Sequence, residues 1–378
     1  MFRNIIAFIK KETVLSAAWI LALISAFLVP PSKEYLSYID FNTLFLLFCL
    51  MAVMASFKKL GAFESCSKFL LGKFKSKSGI LSVLVFMPFF FSMVITNDVA
   101  LIVFVPLAII TLRMCGLENL VLFTVVLQTL AANLGSMSLP MGNPQNLYLY
   151  SISGINIAGF ISTMIPYTAA SFILLLMSIF IFQLKNKATA ELQPEIKPDE
   201  DDKNKSSKGI WIATVVCFIL CLLCVGKLFP AWILFPVIFI AYLIADRKIL
   251  KNVDYSLLFT FIGFFIFTGN IKNMDAAREV IATAITGHEV GFSIAASQVI
   301  SNVPAALLLS CFTDNFKALL IGTNLGGLGT LIASMASLIS FKQIAKNYHD
   351  KRGKYFIQFT VMNLVFLALL FGFHLILA

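Results

Sequence analysis

Fourteen apolar runs divide this 378-residue chain, and several are too short to do what the others can. They cover residues 13–30, 40–57, 79–95, 99–113, 117–134, 160–183, 209–227, 231–245, 254–271, 290–300, 303–313, 316–325, 328–341 and 355–377. About 20 apolar residues cross the hydrocarbon of a bilayer, whereas a run of about 10–14 makes a re-entrant or broken piece. The short runs fall into two hairpins, 79–113 and 290–313, and two interrupted helices, 117–150 and 316–341. Composition leaves no other solvent for them. Apolar residues make up 59% of the chain and charged residues 13%, too few charges to cover a soluble fold of this length. A cytosolic enzyme, a disordered protein and a nucleic-acid reader are thereby excluded. The expected fold is an all-α polytopic membrane protein of about nine full spans plus two hairpins.

The net charge of +10 is explained by where the charges lie. With the N-terminus inside and each hairpin entering and leaving on one side, the inside segments are 1–12, 58–78, the turn at Arg113, 184–208, 246–254 and 342–354. They hold 24 Lys and Arg, against five outside, namely Lys33, Lys227, Lys272, Arg278 and Lys317. That bias places the N-terminus in the cytoplasm and the C-terminus outside a cytoplasmic membrane. The first apolar run ends at Pro30-Pro31 with no cleavage pattern and is expected to be retained. The Lys-rich stretch 58–77 is expected to lie on the inner leaflet. Residues 184–208 hold six Lys, six acids and two Pro, and form a solvated linker between two halves.

The halves are related by sequence. SMVITN at 92–97 matches SQVISN at 297–302, ANLGS at 132–136 matches TNLGG at 323–327, and DFNTLF at 40–45 resembles DYSLLF at 254–259. Residues 1–183 and 209–378 therefore form two repeats, the second carrying one extra span at 209–227. The extra span and the linker give the copies opposite orientation. Inverted repeats with interrupted helices are the sequence signature of a secondary transporter, with its site near the midplane where the interruptions meet.

At membrane depth, non-helical backbone survives only around a cavity. Four interruptions supply the candidate binding residues. The first hairpin tip has Thr96, Asn97 and Asp98, and the first break has Asn133, Gly135, Ser136, Ser138, Gly142, Asn143, Pro144 and Asn146. The second tip has Ser301, Asn302 and Pro304, and the second break has Thr323, Asn324, Gly326, Gly327 and Thr330. Helix starts present unpaired N–H groups that suit an anion, and helix ends present carbonyls that suit Na+, so the tips at Asn97 and Asn302 are candidate Na+ sites. The plainer role for Asn97, Asn143 and Asn302 is as N-caps, with Pro144 or Pro304 just inside the next helix. Asp98 is the one carboxylate read at membrane depth, and its counterpart is Val303. It is either a coupling site for H+ or Na+ or a helix cap. Gln128 and Gln298 also interrupt apolar stretches. Cys217, Cys221 and Cys224 share one helix face as packing residues, the three His form no cluster, and no metal or cofactor motif appears.

These motifs resemble the ion transporter superfamily, which includes arsenite pumps, sodium–proton antiporters, citrate transporters and divalent-anion symporters. The matching segments are TNDVALIVFVPLAI (96–109), ANLGSMSLPMGNPQNL (132–147), SQVISNVPAALLL (297–309) and TNLGGLGTLI (323–332). The Asn-Asp tip looks like the arsenite-pump and related anion-permease branch. Divalent-anion symporters carry Ser-Asn-Thr at both tips, and neither tip here matches that fully. The resemblance implies a scaffold part, a moving transport part and often a homodimer. The expected activity is secondary transport of a small anion, organic or inorganic, coupled to H+ or Na+. Na+/H+ antiport with Asp98 as the exchange site, and passive anion conduction, are the alternatives. The lipid bilayer is the expected surrounding, and no nucleic-acid partner is expected.

Overall fold

A computed structural model describes residues 12–62, 65, 76–185 and 208–377. The linker other than its ends, and most of the stretch 58–77, lie outside the described residues. Every described element is helical. Helix α1 is Thr13–Leu28 and α2 is Phe41–Lys59, and the first hairpin is α3 (Lys77–Ile95) with α4 (Asn97–Met114). The first broken helix is α5 (Val121–Ser136) with α6 (Pro144–Ile152), and the long α7 is Ile157–Lys185. An unmatched helix, α8 (Lys208–Val225), follows. The order then recurs: α9 (Ala231–Ala245), α10 (Tyr255–Lys272), hairpin α11 (Glu289–Ile300) with α12 (Asn302–Leu309), broken helix α13 (Phe316–Leu325) with α14 (Met335–Asn347), and α15 (Arg352–Leu377). Among the described residues seven helices are long and apolar enough to cross a membrane, and shorter apolar helices accompany them. This is an all-α polytopic membrane protein.

The two runs of elements interlock. Helix α1 packs along α10, and its counterpart α9 packs along α2. In the same crossed way α4 lies against α14 and α12 against α6. Small residues set the closest approaches. A Cβ on Gly135 would overlap the Phe89 carbonyl oxygen, so α5 meets α3 backbone to backbone. In the second half, Cβ atoms on Gly322 and Gly326 would come within 2.6 Å of Ser293 Cβ and 2.5 Å of Ser297 Oγ. Such ridges let membrane helices gain contact where no hydrophobic force drives them together.

Helix α15 gives the molecule a ruler. At 1.5 Å per residue its 26 residues run about 39 Å. Beside its start, Arg113 at the base of the first hairpin donates to Tyr348 Oη at 2.8 Å. Near its end, Phe371 and His374 line a small cavity with Glu289, at the base of the second hairpin. The hairpins thus enter from opposite ends. The Arg113 end also holds the Lys59–Asp246 ion pair and the Ser256 bond to Glu12 at 2.6 Å. The described parts of the segments rich in Lys and Arg therefore gather at one end, called here the basic end.

Two lengths differ from the sequence reading. The arms of the first hairpin are 19 and 18 residues, each long enough to cross, while those of the second are 12 and 8. The first tip sits at the break in α5–α6 because polar groups there hold it, not because its arms are short. The apolar run 328–341 is not helical until Met335, since residues 326–334 form the second break.

Candidate functional site

Each hairpin reverses on a single residue. Thr96 does so at φ 75°, ψ 150° and Ser301 at φ 73°, ψ 155°. Only glycine visits that region freely, and a side chain there costs about 1–3 kcal/mol. Neither hydroxyl caps the following helix. The reversing residues, not Gly or Pro, stop the helices at both tips. Asn97 and Asn302 are consequently the first helical residues and not N-caps, and Pro304 lies within the first turn of α12. Asp98 is no cap either, since its carboxylate bonds to no described residue. Asn143 does cap, accepting the Asn146 N–H at 2.9 Å, with Pro144 at the first helical position.

The breaks are joined by a crossed set of side-chain bonds. Asn97 Oδ1 accepts the Asp98 N–H at 2.9 Å, so its amide nitrogen must point away, and it donates to Asn133 Oδ1 at 3.0 Å. Ser334, the N-cap of α14, donates to the same Asn133 oxygen at 3.0 Å. In the other half Asn143, the N-cap of α6, donates to Asn324 Oδ1 at 3.0 Å. Asn133 with Ser334 and Asn324 with Asn143 are thus the same contact made twice, once from each half to the other. The copies differ in one atom. Asn324 Nδ2 is bonded to Asn146 Oδ1 at 2.6 Å and to the Leu320 carbonyl at 2.7 Å, whereas the buried Asn133 Nδ2 has no partner among the described residues.

Other predicted residues complete the breaks and do not line the cavity described below. Asn146 Nδ2 reaches the carbonyls of Ser136 and Met137, orphan groups at the end of α5, and that of Leu139 in the break, at 3.4–3.5 Å. Ser138 bonds the Gly135 carbonyl and Thr168, and Thr323 bonds back to Leu319 within its helix. Gly142 has no room for a Cβ against the Ser136 carbonyl, and one on Gly327 would meet Asn302 Nδ2 at 2.9 Å. Thr330 N–H and the carbonyls of Gly326 and Leu328 are taken up by the side chain of Gln298. Gln128 has a different cause. Pro88 lacks an N–H, which orphans the Leu84 carbonyl in α3, and Gln128 Nε2 donates to that oxygen at 2.8 Å.

A cavity of about 560 Å³ lies between α2 and α4. Its deep wall is Thr96, Asp98, Asn143 and Pro144, and its mouth is Lys58, Lys59, Asn252 and Asp254 at the basic end. The sides are apolar, with Leu50, Met51, Met54 and Ile102 among them. At the other end the passage is shut. Asp40 accepts from Ser151 at 2.9 Å, and Tyr148 of α6 bonds Ser310 at 3.0 Å with its ring 5.6 Å from that of Phe265. Four predicted residues therefore face the cavity, and the rest build the breaks behind it. Asp254, Lys58, Lys59 and Ser334 were not singled out from sequence as site residues, and Gln298 was noted only as a polar residue in an apolar stretch. Two signals pointed to them: Asp254 repeats Asp40, and Ser334 follows Asn324 by as many residues as Asn143 follows Asn133.

The sequence matches the citrate transporter family, CitMHS, over residues 5–317. An uncharacterized transporter of Methanocaldococcus jannaschii is 33% identical over 314 residues, covering 82% of each chain. Inner membrane protein YbiR of Escherichia coli is 29% identical over 326 residues, covering 84% of each. With family match, similar transporters and fold in agreement, this chain belongs to the citrate transporter family and is a secondary transporter of the ion transporter superfamily.

Proposed function

We propose that the chain moves a small anion across the cytoplasmic membrane by alternating access, coupled to H+ or Na+. The observation that carries this reading is the cavity, open at the basic end and shut at the other, with the carboxylate of Asp98, which bonds to no described residue, at its deep wall. The start of α6 supplies partial positive charge there, and Lys58, beside the Lys59–Asp246 pair, attracts anions to the mouth. Asp98 repels the same anion unless a proton or cation neutralises it, which ties entry of one to entry of the other. The coupling ion sits at Asp98, with carbonyls of the Asn97 tip as the Na+ alternative. At the Asn302 tip the backbone N–H is already bonded to the Ala333 carbonyl at 3.0 Å. The basic end is cytoplasmic in this reading, with the N-terminus inside and the C-terminus outside. External labelling of a Cys placed at position 205 would overturn that sidedness. A homodimer, if formed, is read from the mass of the protein in detergent.

The test is uptake into proteoliposomes with a panel of anions, citrate first, under separate Na+ and pH gradients. Accumulation of one anion driven by one gradient is the expected result. Proton release on adding Na+, with no anion present, would instead identify a Na+/H+ antiporter using the same Asp98. Equilibration without accumulation would identify a channel.

A further inference from the structure

The closed end and the open end carry equivalent residues in different states. Asp40 and Asp254 are the N-caps of α2 and α10, at φ −78°, ψ 87° and φ −78°, ψ 83°. Each accepts the backbone N–H three residues on, from Thr43 at 3.1 Å and from Leu257 at 3.0 Å. Asn143 and Ser334 are likewise the N-caps of α6 and α14, and eight residues beyond them lie Ser151 and Lys342. At the closed end these positions meet. Asp40 Oδ2 accepts from Ser151 Oγ at 2.9 Å and from Thr43 Oγ1 at 2.5 Å, and the two hydroxyls lie 2.7 Å apart. At the basic end Asp254 and Lys342 are both exposed. Among the described residues Asp254 accepts only its capping N–H, and Lys342 bonds to none.

The packing shows the same alternation. Helix α2 touches α6 at the Asp40 end but stands off α4, and the cavity fills that gap. Helix α10 packs on α12 and stands off α14. Exchanging the roles of the two halves converts one arrangement into the other.

We propose that Asp40, Thr43 and Ser151 form the latch that keeps the outer end shut, and that Asp254 with Lys342 is the corresponding inner latch, made when the molecule turns outward. This rests on the alternating-access reading above. The two latches differ in chemistry. The outer one is a carboxylate held by hydroxyls, and the inner one is an ion pair in solvent that salt screens.

Two reporters, each with one added cysteine, test it without a known substrate. Ala55→Cys lies in the open cavity, and Thr268→Cys sits on α10 at the position equivalent to Met54, where it is now buried. Maleimide labelling is measured in membrane vesicles of both orientations, with the unmodified chain as the blank for native thiols. Ser151→Ala leaves the Asp40 cap intact. It is expected to raise labelling of Thr268→Cys from outside by about fivefold to tenfold, as the loss of one or two hydrogen bonds allows, and to lower that of Ala55→Cys. Adding Lys342→Asp sets two like charges at the inner latch and is expected to reverse the shift. If the reporters exchange accessibility under ion gradients but neither variant moves the balance, the latches are refuted and alternating access stands. If neither reporter changes under any gradient or variant, alternating access falls, and the latches with it.

Discussion

At the first hairpin tip Thr96 turns the chain at φ 75°, and at the second Ser301 turns it at φ 73°. Around this common backbone the surroundings diverge. The first tip faces a cavity, carries Asp98 and leaves Asn133 Nδ2 unpaired among the described residues. The second is packed, carries the buried Val303 in place of the acid, and has its backbone N–H bonded to Ala333. The strained turn is therefore a requirement of one-residue reversal, common to both halves. Charge and access are what the halves do not share. Only the first tip carries a titratable side chain, Asp98 against Val303, so the proposed coupling has one tip to act on.

The largest expected effect breaks the comparison at that position. Asp98→Asn keeps size and polarity but removes titration, and is expected to abolish gradient-driven accumulation while the protein still folds. Since Asp98 caps nothing, Asp98→Ala should fold equally well. Placing the acid at the other tip should not restore function, because Val303→Asp buries a charge at a cost of about 3 kcal/mol. Uptake assays on purified variants decide this, and full accumulation by Asp98→Asn would mean that the tips differ only in packing.

Next in size is the contrast between the bridging asparagines. Asn324→Ala strips partners from Asn143 and Asn146 and is expected to cost about 3 kcal/mol. Asn133→Ala removes an acceptor from Asn97 and Ser334 but also deletes a buried amide that has no partner, and should cost only about 1 kcal/mol. Thermal unfolding in detergent ranks the two, and equal losses would show that the unpaired amide is not a penalty. Smaller again is relief of the turns. Thr96→Gly and Ser301→Gly should each gain about 1 kcal/mol from removed strain. Only the first should lose uptake, since Thr96 lines the cavity and Ser301 does not.

The smallest effect is a control remote from both tips. Lys59 bonds Asp246 and holds its carboxyl below the usual range. This stabilisation is fully present above the ordinary carboxylate value near pH 4 and disappears as pH falls through the lower folded value. Lys59→Ala should cost about 0.5 kcal/mol at neutral pH, and nothing in strong acid. Melting curves across pH check this.

The class of fold, the hairpins and the breaks were legible because apolar runs and Gly, Pro and Asn clusters report local backbone directly. The pairing of Asn143 with Asn324 was legible only as convergence, because contacts across about 180 residues leave no local trace. Asn97 looked like a cap because sequence shows residue type and not the φ of Thr96. Gln128 was unreadable alone, since its purpose is set by Pro88, forty residues earlier. Asp254 was visible as a repeat of Asp40, yet its place at the cavity mouth depends on which end is open.

The crossed packing of α1 on α10 has a consequence for biosynthesis. Helix α10 begins at residue 255, while α1 ends at residue 28. At about 5–20 residues per second, the ribosome needs roughly 10–45 s to deliver the partner of a helix already made. Contacts within the first half, such as Gln128 to Leu84, can form early, but Asn143 must wait for Asn324. A nascent first half therefore resides in the bilayer with unmatched polar groups. Insertion factors that shield such intermediates, or fast translation of the second half, should limit the yield of this protein more than the final stability does.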